Sequence, residues 1–408
     1  LRGSWGELGN QNTSNLYPFY EILPVKSNSG NWLVNGGKTN TADIPSLVST
    51  LLTWERVRSF NVGFDFGAFS NRLTGSFDYF VRKTVDMVGP APQLPLVLGI
   101  APAIVNNADM KSYGFEIELS WRDRIGEVDY GVKFNLADAQ QKVVKYPNTT
   151  NAFNDWYAGK MSGEIWGYTS LGIAKTDEEM KEHLASLPNG GQNQLGNKWG
   201  AGDIMYADIN GDGKVDGGKG TLADPGDQRI IGNSTPRYNF GLVLDASYKG
   251  FDVSIFFQGV GKRDYAPIVG TNGAVFWGAV NNIWQSMAME EHFDYFRPEG
   301  HPMGANLNGY YPRPDFTSNK NHQVQTRYLQ DASYIRLKNL QIGYTLPKQW
   351  INKLHINRCR VYVSGDNLWT GTSLASMFDP ETLAAGDWGS GKTYPLSKVI
   401  SFGLNVNF

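Results

Sequence analysis

The feature that most narrows the fold is an alternation of apolar and polar residues, sustained over about ten residues at a time and arriving in pairs. In RVRSFNVGFDF (56–66), Phe60, Val62, Phe64 and Phe66 share one face, and Asn61, Gly63 and Asp65 share the other. A short GAFSN turn leads into RLTGSFDYFVRKT, where Leu73, Phe77, Tyr79 and Val81 align. A second pair, YGFEIELSW and VDYGVKFNL, is joined at RDRIGE, with Phe115, Ile117, Leu119 and Trp121 opposing Glu116, Glu118 and Ser120. A third, RYNFGLVLDASY and FDVSIFFQGV, turns at Lys249–Gly250. A fourth, SYIRLKNLQIGYTL and CRVYVSGDNLW, is joined by PKQWINKLHIN, which reads as one short helical turn. KVISFGLNVNF closes the chain with Phe402, Leu404, Val406 and Phe408 on one face.

Period-two alternation, aromatic and β-branched enrichment, and Gly or Asn at the turns specify antiparallel strands. Strands of roughly ten residues match what a tilted strand needs to cross a bilayer. Within each pair the connection is short. Between pairs it is long, at 89–110, 145–235, 261–330 and 370–395. Compact domains rarely hold structureless connections beyond about fifteen residues, whereas a transmembrane barrel has short turns at one end and long loops at the other. Tyr79, Phe80, Trp121, Tyr130, Tyr238, Tyr248, Tyr344 and Trp369 sit where interfacial aromatic girdles are expected. No run of about 18 apolar residues offers a transmembrane helix. The expected fold is therefore all-β, an antiparallel transmembrane β-barrel.

Net charge is −2, so no overall field favours nucleic acid. The one cysteine, Cys359, excludes an intramolecular disulfide framework and reads as a small buried or lipid-facing residue. The chain starts at Leu1 without methionine or signal peptide, which leads us to expect a polypeptide whose start lies elsewhere.

The 145–235 connection carries two features of its own. KTDEEMKEHLASL reads as a helix capped by Thr176 or Asp177. YADINGDGKVDGG then places Asp208, Asn210, Asp212 and Asp216 at alternating offsets around Gly213. Calcium takes six to eight oxygen ligands, and such a turn gathers them. The candidate set is Asp208, Asn210, Asp212 and Asp216, the Lys214 carbonyl, and a late carboxylate from Asp227. The bidentate Glu of a complete calcium hand is replaced by Lys219, so a sensor is excluded. A structural Ca²⁺ site and a metal-free turn, whose carboxylates cap local amides, both fit. Trp156, Trp166, Trp199, Trp277, Trp284 and Trp388 lie in the long connections. Flat aromatic faces stack on sugar rings, so Trp166, Trp199, Trp277, Trp284 and Trp388 are candidate ligand contacts, against the alternative that they pack loops together. The histidines form no metalloprotease spacing, no glycine-rich run sits between a strand and a helix, and no catalytic residue is nominated.

Taken in order, LRGSWGELGNQ, LTWERVRSFNVGFDF, NRLTGSFDYFVRKTVDMV, NNADMKSYGFEIELSW, GDIMYADINGDGKVD, GDQRIIGNSTPRYNFGLVLDASYKGFDVSIFFQGVG, YLQDASYIRLKNLQIGYTLP, RVYVSGDNLWT, FDPE and SFGLNVNF resemble the C-terminal part of SusC/RagA-type TonB-dependent outer-membrane transporters of Bacteroidetes. The resemblance spans essentially the whole of 1–408 and lies in the series rather than in any one piece. It implies roughly the last ten strands of a barrel of about twenty-two, with long extracellular loops and short periplasmic turns. The plug, the TonB-binding segment and the first barrel strands would lie outside this chain. It also implies import of a glycan or, as in RagA-type members, a peptide, beneath a SusD-like surface lipoprotein and powered by TonB. The rival readings are a secreted calcium-stabilised carbohydrate-binding β-protein and a glycan-cleaving enzyme.

Overall fold

The computed structural model describes residues 1–11, 20–45, 47–49, 52–89, 97, 99–100, 102–267, 274–278, 289–315, 319–352, 355–383 and 393–408. One antiparallel sheet of ten strands dominates it. In chain order these are β1 (Arg2–Asn10), β2 (Glu55–Ala68), β3 (Leu73–Val88), β4 (Asn106–Ile125) and β5 (Val128–Lys145). They continue as β6 (Arg237–Tyr248), β7 (Phe251–Lys262), β8 (Tyr334–Thr345), β9 (Arg358–Thr372) and β10 (Val399–Asn407). Each pairs with its neighbours in sequence, so the sheet is a simple meander, with β1 and β10 paired on one side only.

The register confirms the two-faced pattern. Leu73, Trp121, Val132, Leu244, Ile255, Leu340, Gly365 and Ile400 stand side by side across eight strands. The outer side chains stay in contact with solvent: Phe60 is 47% exposed and Phe402 84%. On the opposite face Asp65, Ser76, Glu118, Asn135, Gly241, Gln258, Arg336 and Thr370 form the corresponding row. The outer stretch of β4 from Tyr113 to Trp121 rises roughly 21 Å when tilted by about 40°, close to the apolar band of an outer-membrane barrel. Trp121 donates its indole N–H to Tyr130 at 3.1 Å, and Phe251 and Tyr344 pack at 4.4 Å, forming a girdle at the turn end.

Three expectations need correction. Strands reach 20 residues rather than about ten, because pairing continues beyond the apolar band at the loop end. Residues 106–110 therefore belong to β4 and not to a loop. Phe80 faces inward, over Gly114, where a Cβ would meet its ring at 2.9 Å, so it is no part of a girdle. A further long connection, 11–54, joins β1 to β2 on the same side as the others, and only short strand pairs interrupt it among the described residues.

The turns follow from residue type. Lys249 (φ 47°) and Gly250 (φ 91°) give the two left-handed residues that a tight two-residue hairpin requires. The segment after β8 forms the single turn Lys348–Ile351, as its sequence suggests. Cys359 is buried.

Candidate functional site

The long connections are not structureless. Between β5 and β6 lie helix α1 (Asp177–Ala185) and four short strands, Glu164–Gly167, Ser170–Ile173, Ile204–Tyr206 and Arg229–Asn233. Thr176 caps α1, its side chain accepting from the Glu179 amide at 3.1 Å. The short strands pair among themselves, so the connection satisfies its own backbone.

An aromatic core then ties three connections together. Tyr168, Ile204, Tyr206 and Val215 come from the first, Tyr265, Phe276, Trp277, Tyr311 and Tyr328 from the second, and Leu374, Phe378 and Leu383 from the third. Trp277 and Tyr328 are 4.7 Å apart edge-on, and Tyr265 and Phe378 5.3 Å. The buried hydroxyls are matched: Tyr206 donates to the Lys320 carbonyl at 2.7 Å and Tyr328 to the Tyr310 carbonyl at 2.9 Å. Burial pushes the Tyr206 hydroxyl well above its ordinary pKa, so it stays a neutral donor.

Two buried charge clusters fasten the same connections. Asp203, fully buried, accepts from Arg313 at 2.6 and 2.8 Å, Lys320 at 2.9 Å, Asn321 at 2.9 Å and the Gly200 amide at 2.9 Å. Lys320 is itself 1% exposed. Arg336, on the inner face of β8, binds Thr370 at 2.8 Å, Asp379 at 2.8 Å and Glu381 at 2.9 Å. The FDPE stretch is thus anchored on the barrel wall. Burial alone would raise the Asp379 pKa, but Arg336 and the Glu381 and Leu396 amides more than offset it. Sequence reading missed both clusters, because their members lie far apart along the chain.

The Asp loop is organised by local amides. Asp208 accepts from Gly211 at 2.6 Å and Gly213 at 2.8 Å, and Asp212 from Lys214 at 3.1 Å. Asn210 accepts from the Asp212 amide at 3.0 Å. Asp216 accepts from the Gly218 amide at 2.7 Å and pairs closely with the Lys214 ammonium. That ammonium, with the Gly218 amide, holds the Asp216 pKa below the usual carboxylate range despite burial. Asp227, fully buried, reaches back to the Ile209 amide at 2.7 Å and the Asp216 amide at 2.8 Å. Among the described residues no group of three or more His, Cys, Asp or Glu side chains is arranged to hold a metal ion. As arranged, the set does not fit a cation. Calcium would have to displace the Lys214 ammonium and draw the carboxylates inward.

The tryptophans separate. Trp166 stacks on Phe153 at 4.5 Å and lines a cavity of about 510 Å³ with Tyr168, Gln228 and Gln323. Trp199 packs against Tyr206 at 6.4 Å under the Lys320 ammonium. Trp156 packs on Tyr146 at 6.0 Å. Trp277 is 1% exposed and donates to the Pro267 carbonyl, so it offers no face to a ligand and is a keystone of the core. Trp284 and Trp388 lie outside the described residues.

An antiparallel wall with an apolar outer band, a polar inner face and folded loops crowded at one end defines a bacterial outer-membrane β-barrel. A family model described as TonB dependent receptor-like, beta-barrel matches residues 1–368, and the chain belongs to that family. It is similar to TonB-dependent receptor P3 of Formosa agariphila, 28% identical over 437 residues, covering 100% of this chain and 39% of the relative. TonB-dependent receptor SusC of Bacteroides thetaiotaomicron is 20% identical over 424 residues, covering 100% and 37%. The structure of the RagAB peptide transporter superposes with a TM-score of 0.71 at 23% identity, covering 100% of this chain and 40% of that one. The chain thus spans well under half the length of these relatives. Its place is the bacterial outer membrane.

Proposed function

We propose that this chain is the C-terminal wall and loop assembly of a TonB-dependent importer that takes up a nutrient oligosaccharide. The observation that carries the reading is the one-sided fusion of three connections, through one aromatic core, at one end of a wall whose inner face is polar. In this reading the loop end is extracellular, a SusD-like lipoprotein docks on it, and TonB acts through segments outside this chain. Further strands pair with the free edges of β1 and β10, since an open edge in lipid is costly. No covalent chemistry is part of the proposal; the family comprises transporters, not enzymes.

Oligosaccharide is preferred over peptide because the Trp166 cavity joins aromatic surface to amide side chains without a free charge. Its Lys160 ammonium is held by the carbonyls of Phe153, Asn154 and Asp155, and its Glu164 carboxylate by the Tyr157 hydroxyl and the Met161 amide. A peptide's charged termini would have to compete with the protein for a Lys160 ammonium and a Glu164 carboxylate whose hydrogen bonds are already taken. The test is growth of a strain lacking the full-length gene on single oligosaccharides or peptides as carbon source, beside a TonB-deficient strain. Loss on an oligosaccharide in both strains is expected. Loss confined to peptides replaces the ligand class, and no loss on any nutrient refutes import. The proposal also keeps a calcium ion for the Asp loop, once Lys214 has swung away from Asp216.

A further inference from the structure

We propose that a row of cations on the outer face, Arg58, Lys83, Lys111 and Lys142, is a binding strip for phosphate-bearing lipid headgroups of the outer leaflet. The proposal rests on the membrane placement and is independent of which ligand the barrel carries. The register sets these residues directly side by side on four consecutive strands: Arg58 opposite Lys83, Lys83 opposite Lys111, and Lys111 opposite Lys142. All four share the face of Phe60, Val81 and Tyr113, which stand two residues nearer the apolar band. The row therefore lies at the rim of that band, at headgroup depth, on the loop side.

Like charges placed directly opposite one another destabilise a sheet. Neighbouring strands are only about 4.8 Å apart, so this row crosses roughly 14 Å of barrel surface. Within the protein the repulsion is poorly offset. Glu7 pairs with Arg58 at 2.7 Å and Asp109 approaches Lys83 at 3.5 Å. Among the described residues Lys111 has only the Tyr113 ring, 5.3 Å away, and Lys142 makes no ion pair and is exposed. The opposite end of the same sheet shows a different pattern. There Arg72 meets Asp123 at 3.0 Å, Lys249 meets Glu127 at 2.7 Å and Arg124 meets Asp129 at 3.8 Å. Cations with matched acids at one rim, and a row at the other in which Lys111 and Lys142 have no acid among the described residues, call for an external anion at the second. A phosphate esterified to a lipid sits at that depth and cannot diffuse away, and lysine binds phosphate as a point charge.

The test uses the full-length protein in mild detergent micelles doped with diphosphorylated lipid A or with the same lipid enzymatically dephosphorylated. Retained lipid is counted by native mass spectrometry. The wild type is expected to retain the phosphorylated lipid roughly tenfold better, with the preference fading as salt is raised. The variant Lys83→Gln/Lys111→Gln/Lys142→Gln is expected to lose the preference, and Arg124→Gln/Lys249→Gln at the other rim to keep it. Equal retention of the two lipids by the wild type overturns the proposal, and this arm needs no variant to fold. A preference that survives the triple substitution overturns it as well. Competition by millimolar inorganic phosphate at constant ionic strength would assign the strip to a free anion and overturn the lipid.

Discussion

Asp203→Asn is the sharpest test of whether the long connections act as one body. The substitution keeps the side chain's size, removes its charge and turns one acceptor into a donor facing other donors. Lys320, at 1% exposure, would keep the Asn197 and Lys198 carbonyls at 3.2 and 3.0 Å and a distant Asp315 at 3.8 Å. Removing one partner of a buried ion pair costs about 3–5 kcal/mol. The Arg313 side chain is 38% exposed and reaches water, so its own loss adds at most about 1 kcal/mol. The sheet does not depend on this cluster, so the cost should appear as local opening rather than global unfolding. It corresponds to a rise of between about 10² and several thousandfold in the open population. Hydrogen exchange on the full-length protein in detergent reads it at the Ile204 amide, which donates to Asn321, and at the Tyr206 amide, which donates to Gln192. Exchange at both should rise by that factor while amides of β4 and β5 stay unchanged. Adding Lys320→Met should recover part of the loss, because the buried ammonium that lost its nearest carboxylate is then gone as well. A rise below about tenfold, or an equal rise throughout the sheet, would refute the reasoning.

Other perturbations test the wall and the loops separately. Phe134→Arg puts a charge on the outer band and should cost about 2–4 kcal/mol, whereas Asn135→Arg, one residue on and facing inward, should be nearly neutral; folding titrations into lipid vesicles compare them, and equal costs would overturn the face assignment. Arg336→Met leaves the largely buried Asp379 and Glu381 carboxylates with Lys338, paired to Glu381, as the remaining ion-pair cation among the described residues, and exchange at residues 379–383 should rise by about 3 kcal/mol of local opening. Because the Asp216 pKa is lowered in the folded loop, its stabilisation is complete above the ordinary carboxylate range and is lost as pH falls through the lowered value. Exchange at Gly218 should therefore accelerate only below about pH 4, and Asp216→Asn should remove that dependence; a transition near neutrality would contradict it. Calcium, if it enters the Asp loop, should slow proteolysis within 208–227 relative to chelator while leaving the barrel intact, and identical cleavage in both would count against it.

The wall was legible because two solvents read it. Each strand residue meets either the outer apolar phase or the wet interior, and that choice repeats every second residue, within reach of any local window. Even the register could be anticipated at Lys249–Gly250, where two left-handed residues admit one hairpin geometry. The loops follow no such rule. Asp203 and Lys320 are 117 residues apart, and nothing beside either in sequence marks the other. The sequence offers Asp227 as a late calcium carboxylate in place of the missing Glu, whereas in the fold it accepts from the Ile209 and Asp216 amides, a use that the spacing alone does not announce. Trp277 was misread because composition reports that an aromatic is present, not which side of a core it occupies.

The same contrast bears on where selectivity can reside. A connection of this length is tolerated only if it folds on itself, and this one does so by burying its largest aromatics and neutralising its charges. Residues used that way are unavailable to a ligand. Under the proposed import function, the surfaces left for recognition are those that the core does not consume: the Trp166 cavity, with its amides and its internally satisfied Lys160 and Glu164, and the polar inner wall around Glu116 and Glu118. Three connections sharing one core and two charge clusters would also have to move together, because opening any one exposes an unpaired buried charge. Under the proposed import function, a ligand would therefore pass beside this assembly rather than through it.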